Sequence, residues 1–306
     1  MNTKKFVMPF KKEIWEYQGS FIVLPLIISG LGVFALLYSL FMVSQNDGIM
    51  GAISGDNQAA FNVQFEGGNV DLNADHSNMP IMAASQFALM ILFGFVANIV
   101  SIYYLLGALY NDRKDRSVLF WKSMPVSELQ NVLTKFATAM LVIPLISTII
   151  AIGTGLVGQL ILILWSSIAD IKPLTSLASD FGIITATLNS LQLTLIGGLW
   201  IAPFMAWILF VSAASPRSPF FTAVLPPLVL MFAERLFFGS HHLTDLFISY
   251  IPDFEALKHT KSLNTNSALN ALTTSFVSGP QLWIGIVISA ALLFGATWFR
   301  NNRYEI

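Results

Sequence analysis

Apolar and polar positions along this chain separate into six long apolar runs and shorter polar intervals. A helix needs about 20 mostly apolar residues to cross a bilayer, and each run meets that length. No run shows the strict alternation over about ten residues that a membrane β-strand requires. The pattern therefore predicts an all-α integral membrane protein with one transmembrane domain, residues 1–306. The predicted spans are residues 20–43, 86–109, 131–165, 183–211, 220–238 and 281–299.

The composition excludes several classes of protein. Hydrophobic residues make up 55% of the chain and charged residues 11%, so a soluble fold of this length would lack the polar surface to cover its core. A formal net charge of −1 argues against nucleic-acid binding. The chain has no cysteine, which excludes disulfides, thiol catalysis and cysteine-ligated zinc.

The lysines and arginines predict the orientation of the spans, because they accumulate on the cytoplasmic side. With six spans, twelve of the sixteen fall on the side of the two termini and three on the other. Both termini are therefore expected in the cytoplasm, and residues 44–80 and 239–280 should form outward loops. The twelve are Lys4, Lys5, Lys11, Lys12, Arg113, Lys114, Arg116, Lys122, Lys135, Arg217, Arg300 and Arg303.

A short amphipathic helix is predicted before the first span. Phe10, Ile14 and Tyr17 recur at helical spacing, with Lys11, Lys12, Glu13 and Glu16 on the other faces. The segment would lie in the cytoplasmic membrane interface. The alternative is that it is only a positively charged flank that sets the topology.

The most distinctive segment is the predicted cytoplasmic loop 110–130. It begins with charged residues, continues with the apolar run Val118-Leu119-Phe120-Trp121, and is broken by Pro125. Ser127 then begins a capping box with Gln130 and starts the third span. Apolar side chains on such a loop need a partner or the bilayer to cover them. Anchoring of the aromatic residues among lipid headgroups is the other interpretation.

This loop resembles the one between the second and third spans of ABC-2 type transporter permeases. A pattern like D-R-x-x-x-x-F-W-K-S-x-P-V-S occurs there, and this chain has its named residues from Asp115 to Ser127, with three positions rather than four between Arg116 and Phe120. The resemblance implies that the loop forms a cytoplasmic coupling helix that docks on a separate ABC ATP-binding subunit. It also implies a multi-pass protein of a prokaryotic plasma (inner) membrane, with two permease chains forming the path.

The resemblance assigns roles to particular residues of the loop. Leu119, Phe120 and Trp121 would supply the buried contact with the ATPase. Asp115, Arg116 and Lys122 would make the polar contacts at the rim of this interface and so set its register. Pro125 and Ser127 would end the loop.

The chain carries no phosphate-binding motif of its own. The G-x-x-x-x-G-K-[ST] pattern is absent, although glycines are needed for backbone amides to approach phosphate. We therefore expect no enzymatic activity and no cofactor in this chain, with ATP and Mg²⁺ bound by the partner subunit.

Polar residues in the fourth and fifth spans are candidates for the translocation path. Thr185, Asn189 and Gln192 fall on one helical stripe, and Glu234 and Arg235 lie late in span five. The stripe could instead protrude into water or bond to other helices, and Glu234 and Arg235 could reach the interface.

Other readings of the chain remain open. His241, His242 and Asp245 could bind a metal, but adjacent histidines point apart on a helix, so no metal site is predicted.

Two other functions are alternatives to the permease. An ion- or proton-coupled secondary transporter would need ionisable groups near mid-membrane and often internal repeats. A non-transport membrane assembly factor or sensor is the remaining alternative.

Overall fold

The computed structural model describes residues 3–45, 81–115, 127–168, 182–241, 243–245, 277 and 279–302. Throughout these ranges the regular structure is helical, without strands. Two five-residue π-helical segments, Gly19–Val23 and Thr138–Val142, join α1 to α2 and α4 to α5. The helices in chain order are α1 Thr3–Glu16, α2 Leu24–Ser44, α3 Ile81–Lys114, α4 Glu128–Ala137, α5 Ile143–Ile168, α6 Gly182–Ala214, α7 Pro219–Phe238 and α8 Pro280–Asn302.

Among the described residues, six segments are long and apolar enough to cross a membrane, which confirms the predicted number of spans and is the architecture of a multi-pass membrane protein. Four of the predicted spans agree with these segments within three residues at both ends, the predicted span 183–211 lies within α6, and α3 extends to Lys114, beyond the predicted end at residue 109. Most of both predicted outward loops lies outside the described residues. The segments are Gly19–Met42, Ala88–Lys114, Glu128–Trp165, Thr194–Ala214, Pro219–Phe238 and Pro280–Asn302.

The two π-helical segments have a local cause in the sequence. Each ends two residues before a proline, Pro25 or Pro144, which has no N–H to continue the α-helical hydrogen bonds. The N–H of Leu24 instead bonds Gly19 O, and the N–H of Ile143 bonds Thr138 O, in wider turns.

Helices α3 and α6 form the centre of the bundle. α3 packs against α5 and α6, and α8 packs against α6. Fully buried small residues such as Ala206 and Ala296 allow close approach of helices, as is usual where lipid provides no hydrophobic drive for association. At the edge, α2 packs on α5 and is joined to it by a 2.7 Å hydrogen bond between the Ser29 and Thr154 hydroxyls.

Helix α7 is only loosely attached to the bundle. In its most apolar stretch, 6% of the residues are buried inside the protein. The corresponding share is 33–39% for the spans formed by α3, α4–α5, α6 and α8. Near its start, Trp207 Nε1 donates to Ala223 O at 3.1 Å. A cavity of about 790 Å³ with mostly apolar walls lies along α7, between it and α3, α6 and α8.

Candidate functional site: a buried charge cluster

Buried charged side chains lie together at one end of the bundle. Within the described part of the chain, Glu13, Asp112, Lys135 and Arg300 are the charged residues that are buried, and all four are 9% exposed or less. Glu128, whose side chain is 16% exposed, joins them through an ion pair. We call these five residues the charge cluster.

Lys135 of α4 lies between two carboxylates from different helices. Its Nζ donates to Glu13 Oε1 of α1 at 3.1 Å and to Asp112 Oδ1 of α3 at 3.4 Å. Helix α4 begins at the end of the loop that follows α3. Lys135 therefore links the helices on both sides of that loop to the N-terminal helix.

Arg300 continues the cluster into the last helix. Its Nη1 donates to Asp112 Oδ2 at 3.3 Å, and its Nε forms an ion pair with Glu128 Oε2 at 2.7 Å. Asp112 and Glu128 stand on opposite sides of the loop between α3 and α4. One guanidinium on α8 therefore bridges the two ends of this loop.

An aromatic group closes the cluster on the side of the bundle interior. The Tyr104 hydroxyl donates to Glu13 Oε2 at 2.8 Å, and its ring packs edge-on against Tyr17 and Phe21, with centroids 5.1 and 5.3 Å away. Burial raises the pKa of the Tyr17 phenol, so this ring stays neutral beside the carboxylates.

Pairing is what makes this burial of charge tolerable. Three carboxylates and two cations leave the cluster with a formal charge of −1. Charges removed from water are costly unless they are paired and hydrogen-bonded, and loss of one partner leaves the other uncompensated. Movement of any one helix of the cluster is therefore resisted by the charges on the others.

A second group of bonds holds the end of α3 to the corner between α6 and α7. The Ser212 hydroxyl accepts from the N–H groups of Leu109 and Tyr110 and donates to Leu106 O. Arg113 Nη2 donates to the carbonyls of Ser212 and Ser215, near the end of α6, where a cation is favourable.

The predicted coupling residues lie at or within the loop between α3 and α4. Asp115 is exposed just after α3, with its N–H bonded to Asn111 O at 2.9 Å. The predicted cap is confirmed: Ser127 Oγ accepts from Gln130 N at 3.2 Å and starts α4 at Glu128. The other predicted residues, Arg116, Leu119, Phe120, Trp121, Lys122 and Pro125, lie outside the described residues.

The proposed path residues of α6 and α7 are not brought to the charge cluster. Gln192 is exposed, and the side chains of Thr185 and Asn189 lie outside the described part. Glu234 accepts hydrogen bonds from Ser240 Oγ and Leu243 N, both at 2.9 Å, so it orders the turn after α7.

Other candidate polar groups lie near the same end of α7. Arg235 is exposed. Of the three residues considered for a metal, His241 is exposed, Asp245 is exposed at the end of a helical turn, and His242 lies outside the described residues.

The structure corrects the sequence interpretation of α1. Glu13 was expected with the lysines on the polar faces, yet it is 2% exposed and faces the bundle. Lys135 and Tyr104 stabilise it there, and both come from helices distant in sequence. The sequence offered one signal: Glu13, Asp112, Lys135 and Arg300 all lie at helix ends next to apolar spans.

Comparison with known proteins identifies no relative: no family model, no curated protein and no solved structure matches this chain.

Proposed function

We propose that this chain is the membrane-spanning permease subunit of an ATP-driven exporter of the ABC-2 type. Its termini and the loop between α3 and α4 would be cytoplasmic, in a prokaryotic plasma (inner) membrane. A separate ABC ATP-binding subunit would dock on this loop, and a second permease chain, identical or different, would complete the path.

The observation that carries the proposal is the bonding of both ends of the loop. Asp112, just before it, and Glu128, just after it, are bridged by Arg300. Lys135 joins the same group to Glu13 of α1. A coupling device needs this property, because force applied to the loop must reach the helices rather than be lost in local bending.

The bonds also define which helices would respond. The charge cluster joins α1, α3, α4 and α8, and the bonds of Arg113 and Ser212 add α6. Closure of the ATP-binding subunits would displace the loop and shift these helices as a group. ATP would then favour one state of the bundle through its differential binding, which is a population shift.

The position of the buried charges favours this function over a secondary transporter. Asp112 and Arg300 each lie two residues before the end of their helix, and Glu128 is the first residue of α4. Ion-coupled transport places its ionisable groups near mid-membrane. Among described residues, the buried charges lie instead at one end of the spans.

The docking test compares two double variants, each of which replaces two consecutive aromatic residues. Phe120→Ala with Trp121→Ala alters the predicted contact, whereas Phe237→Ala with Phe238→Ala alters exposed aromatic residues at the far end of α7. Each variant is co-expressed with a candidate ABC ATP-binding subunit, then purified and assayed for ATP hydrolysis. We expect the first pair to lose the ATPase and its stimulation, and the second pair to keep both.

A coupling defect must be separated from a docking defect. Asp112→Asn keeps the loop aromatics and weakens the link to Lys135 and Arg300. We expect this variant to retain the ATPase but to lose most of the stimulation of ATP hydrolysis by this chain. Unchanged co-purification of the Phe120/Trp121 variant in correctly inserted protein would refute the proposed function.

A further inference from the structure

Helix α1 has two faces with different chemistry. Its inner face carries Glu13, which is bonded into the charge cluster. Its outer face carries Met8 and Trp15, which are 74% and 69% exposed, together with the exposed Lys11 and Lys12. Lys11 Nζ lies 5.6 Å from the centre of the Trp15 ring.

The helical repeat extends this outer face towards the N-terminus. Positions separated by three, four or seven residues share one side of a helix, so positions 4 and 5 share the side of positions 8, 11, 12 and 15. The face therefore combines four lysines with a methionine and a tryptophan. We call it the basic–aromatic face: Lys4, Lys5, Met8, Lys11, Lys12 and Trp15.

One described ion pair offsets part of the positive charge of this face. Lys12 forms an ion pair with Glu16 at 3.5 Å, and both side chains are about half exposed. Glu13 points the other way, into the bundle. The described side chains of this face are thus cationic and partly apolar, and the helical register adds two lysine positions, which suits a negatively charged surface with accessible hydrocarbon.

Chain continuity places this face close to the bilayer. A π-helical segment leads from α1 directly into α2, where Val23, Leu24 and Ile27 are 48%, 41% and 56% exposed. Such apolar side chains at the start of a membrane span contact lipid. Tryptophan favours the headgroup region, and lysine side chains extend from it towards phosphate.

We propose that the basic–aromatic face of α1 is a docking surface for anionic phospholipids of the cytoplasmic leaflet. The lysines contact headgroup phosphates, and Met8 and Trp15 enter the interface. Because Glu13 lies on the opposite side of the same helix, bound lipid holds α1 against the charge cluster. Linkage makes this reciprocal: an intact cluster strengthens lipid binding. This proposal concerns the chain alone and stands independently of the ATPase.

The experiment uses the full chain in nanodiscs of phosphatidylcholine, with or without phosphatidylglycerol. In the mixed discs, either the phosphatidylcholine or the phosphatidylglycerol carries the bromine atoms that quench tryptophan fluorescence. The signal of Trp15 alone is obtained by subtracting the fluorescence of the Trp15→Phe variant. We expect stronger quenching by brominated phosphatidylglycerol and a preference that weakens as salt rises.

Matched substitutions locate the effect. Lys11→Gln should lower the preference for phosphatidylglycerol by about fivefold, the expected effect of one lysine near an anionic surface. Arg235→Gln removes an exposed cation at the other end of the bundle and should leave the preference unchanged. Replacing all four lysines of the face by glutamine should abolish it.

Three outcomes would overturn the proposal. They are equal quenching by the two lipids, a preference that survives in the four-lysine variant, and an equal loss in Arg235→Gln. Insensitivity of Trp15 to either brominated lipid would also count against it, because the face would then lie away from the bilayer. Hydrogen exchange of residues 8–17 gives a second readout, with slower exchange expected in discs that contain phosphatidylglycerol.

Discussion

The charge cluster and the surroundings of α7 represent two ways of holding a helix in this bundle. In the cluster, α1, α3, α4 and α8 are joined by ion pairs of 2.7–3.4 Å. Helix α7 has bonds near its start and an apolar cavity along its length. Because lipid is as apolar as leucine, apolar contact alone does little to position a membrane helix. Directional bonds therefore define the geometry of one end of the molecule, whereas the described bonds of α7 to the bundle lie near its start.

The largest expected effect is the loss of Lys135. Lys135→Met leaves Glu13 and Asp112 buried without their shared cation and should lower the free energy of unfolding by about 3–5 kcal/mol. Denaturant titration of the purified chain in detergent measures this. Lys12→Met, which removes a surface ion pair with Glu16, should cost at most about 1 kcal/mol. Equal losses in the two variants would contradict the special role of the cluster.

The next largest loss of stability is expected from a change in the forked guanidinium group of Arg300. Its Nη1 and Nε contact Asp112 and Glu128 separately, and the single ammonium of a lysine does not reproduce this fork. Arg300→Lys should cost about 1.5–3 kcal/mol, the range for hydrogen bonds to charged groups. A double-mutant cycle with Glu128→Gln checks the partner, with an expected coupling energy of about 0.5–3 kcal/mol. Strict additivity would show that Arg300 and Glu128 do not act together.

Loss of the helix cap should have a smaller and local effect. Ser127→Ala removes the acceptor for the Gln130 N–H and should cost about 1 kcal/mol. Hydrogen exchange should accelerate in the first turn of α4. Ser127→Asp, which keeps an acceptor at the N-cap, should restore slow exchange. If it does not, the cap is not what stabilises this turn.

The smallest effect is expected beside the apolar cavity. Leu228 on α7 is 54% exposed, so Leu228→Ala should change stability by less than about 0.5 kcal/mol. Leu105, which is fully buried on α3, provides the control, and Leu105→Ala should cost about 2–5 kcal/mol. Similar losses at both positions would mean that α7 is packed as tightly as the centre of the bundle.

Much of the fold could be predicted because membrane spans are determined by local composition. The six spans, the cap at Ser127 and the end of α7 before Gly239 all follow from neighbouring residues. Gly239 has φ 61° at the end of α7, where glycine adopts the left-handed conformation without a steric penalty. The π-helical segments could also have been expected from Pro25 and Pro144, whose missing N–H groups interrupt the regular bonds.

The candidate site could be predicted only in part. The loop between α3 and α4 was recognisable from its own sequence, from Asp115 to Ser127. The charge cluster was not, because members that bond directly are separated by as many as 188 positions, and each alone resembles an ordinary charge at a span end. Glu13 shows the difficulty, because the sequence interpretation grouped it with the lysines as polar residues away from Phe10, Ile14 and Tyr17, whereas it faces the bundle.

The sequence by itself determined that this protein is a bundle of six apolar helices, and where most of them begin and end. The physical reason is that transfer of a segment from water to lipid depends on the composition of that segment alone. Only the tertiary structure decided which charges meet. Ion pairing between distant helices requires that they already pack at one register, and packing brings Glu13, Asp112, Glu128, Lys135 and Arg300 together.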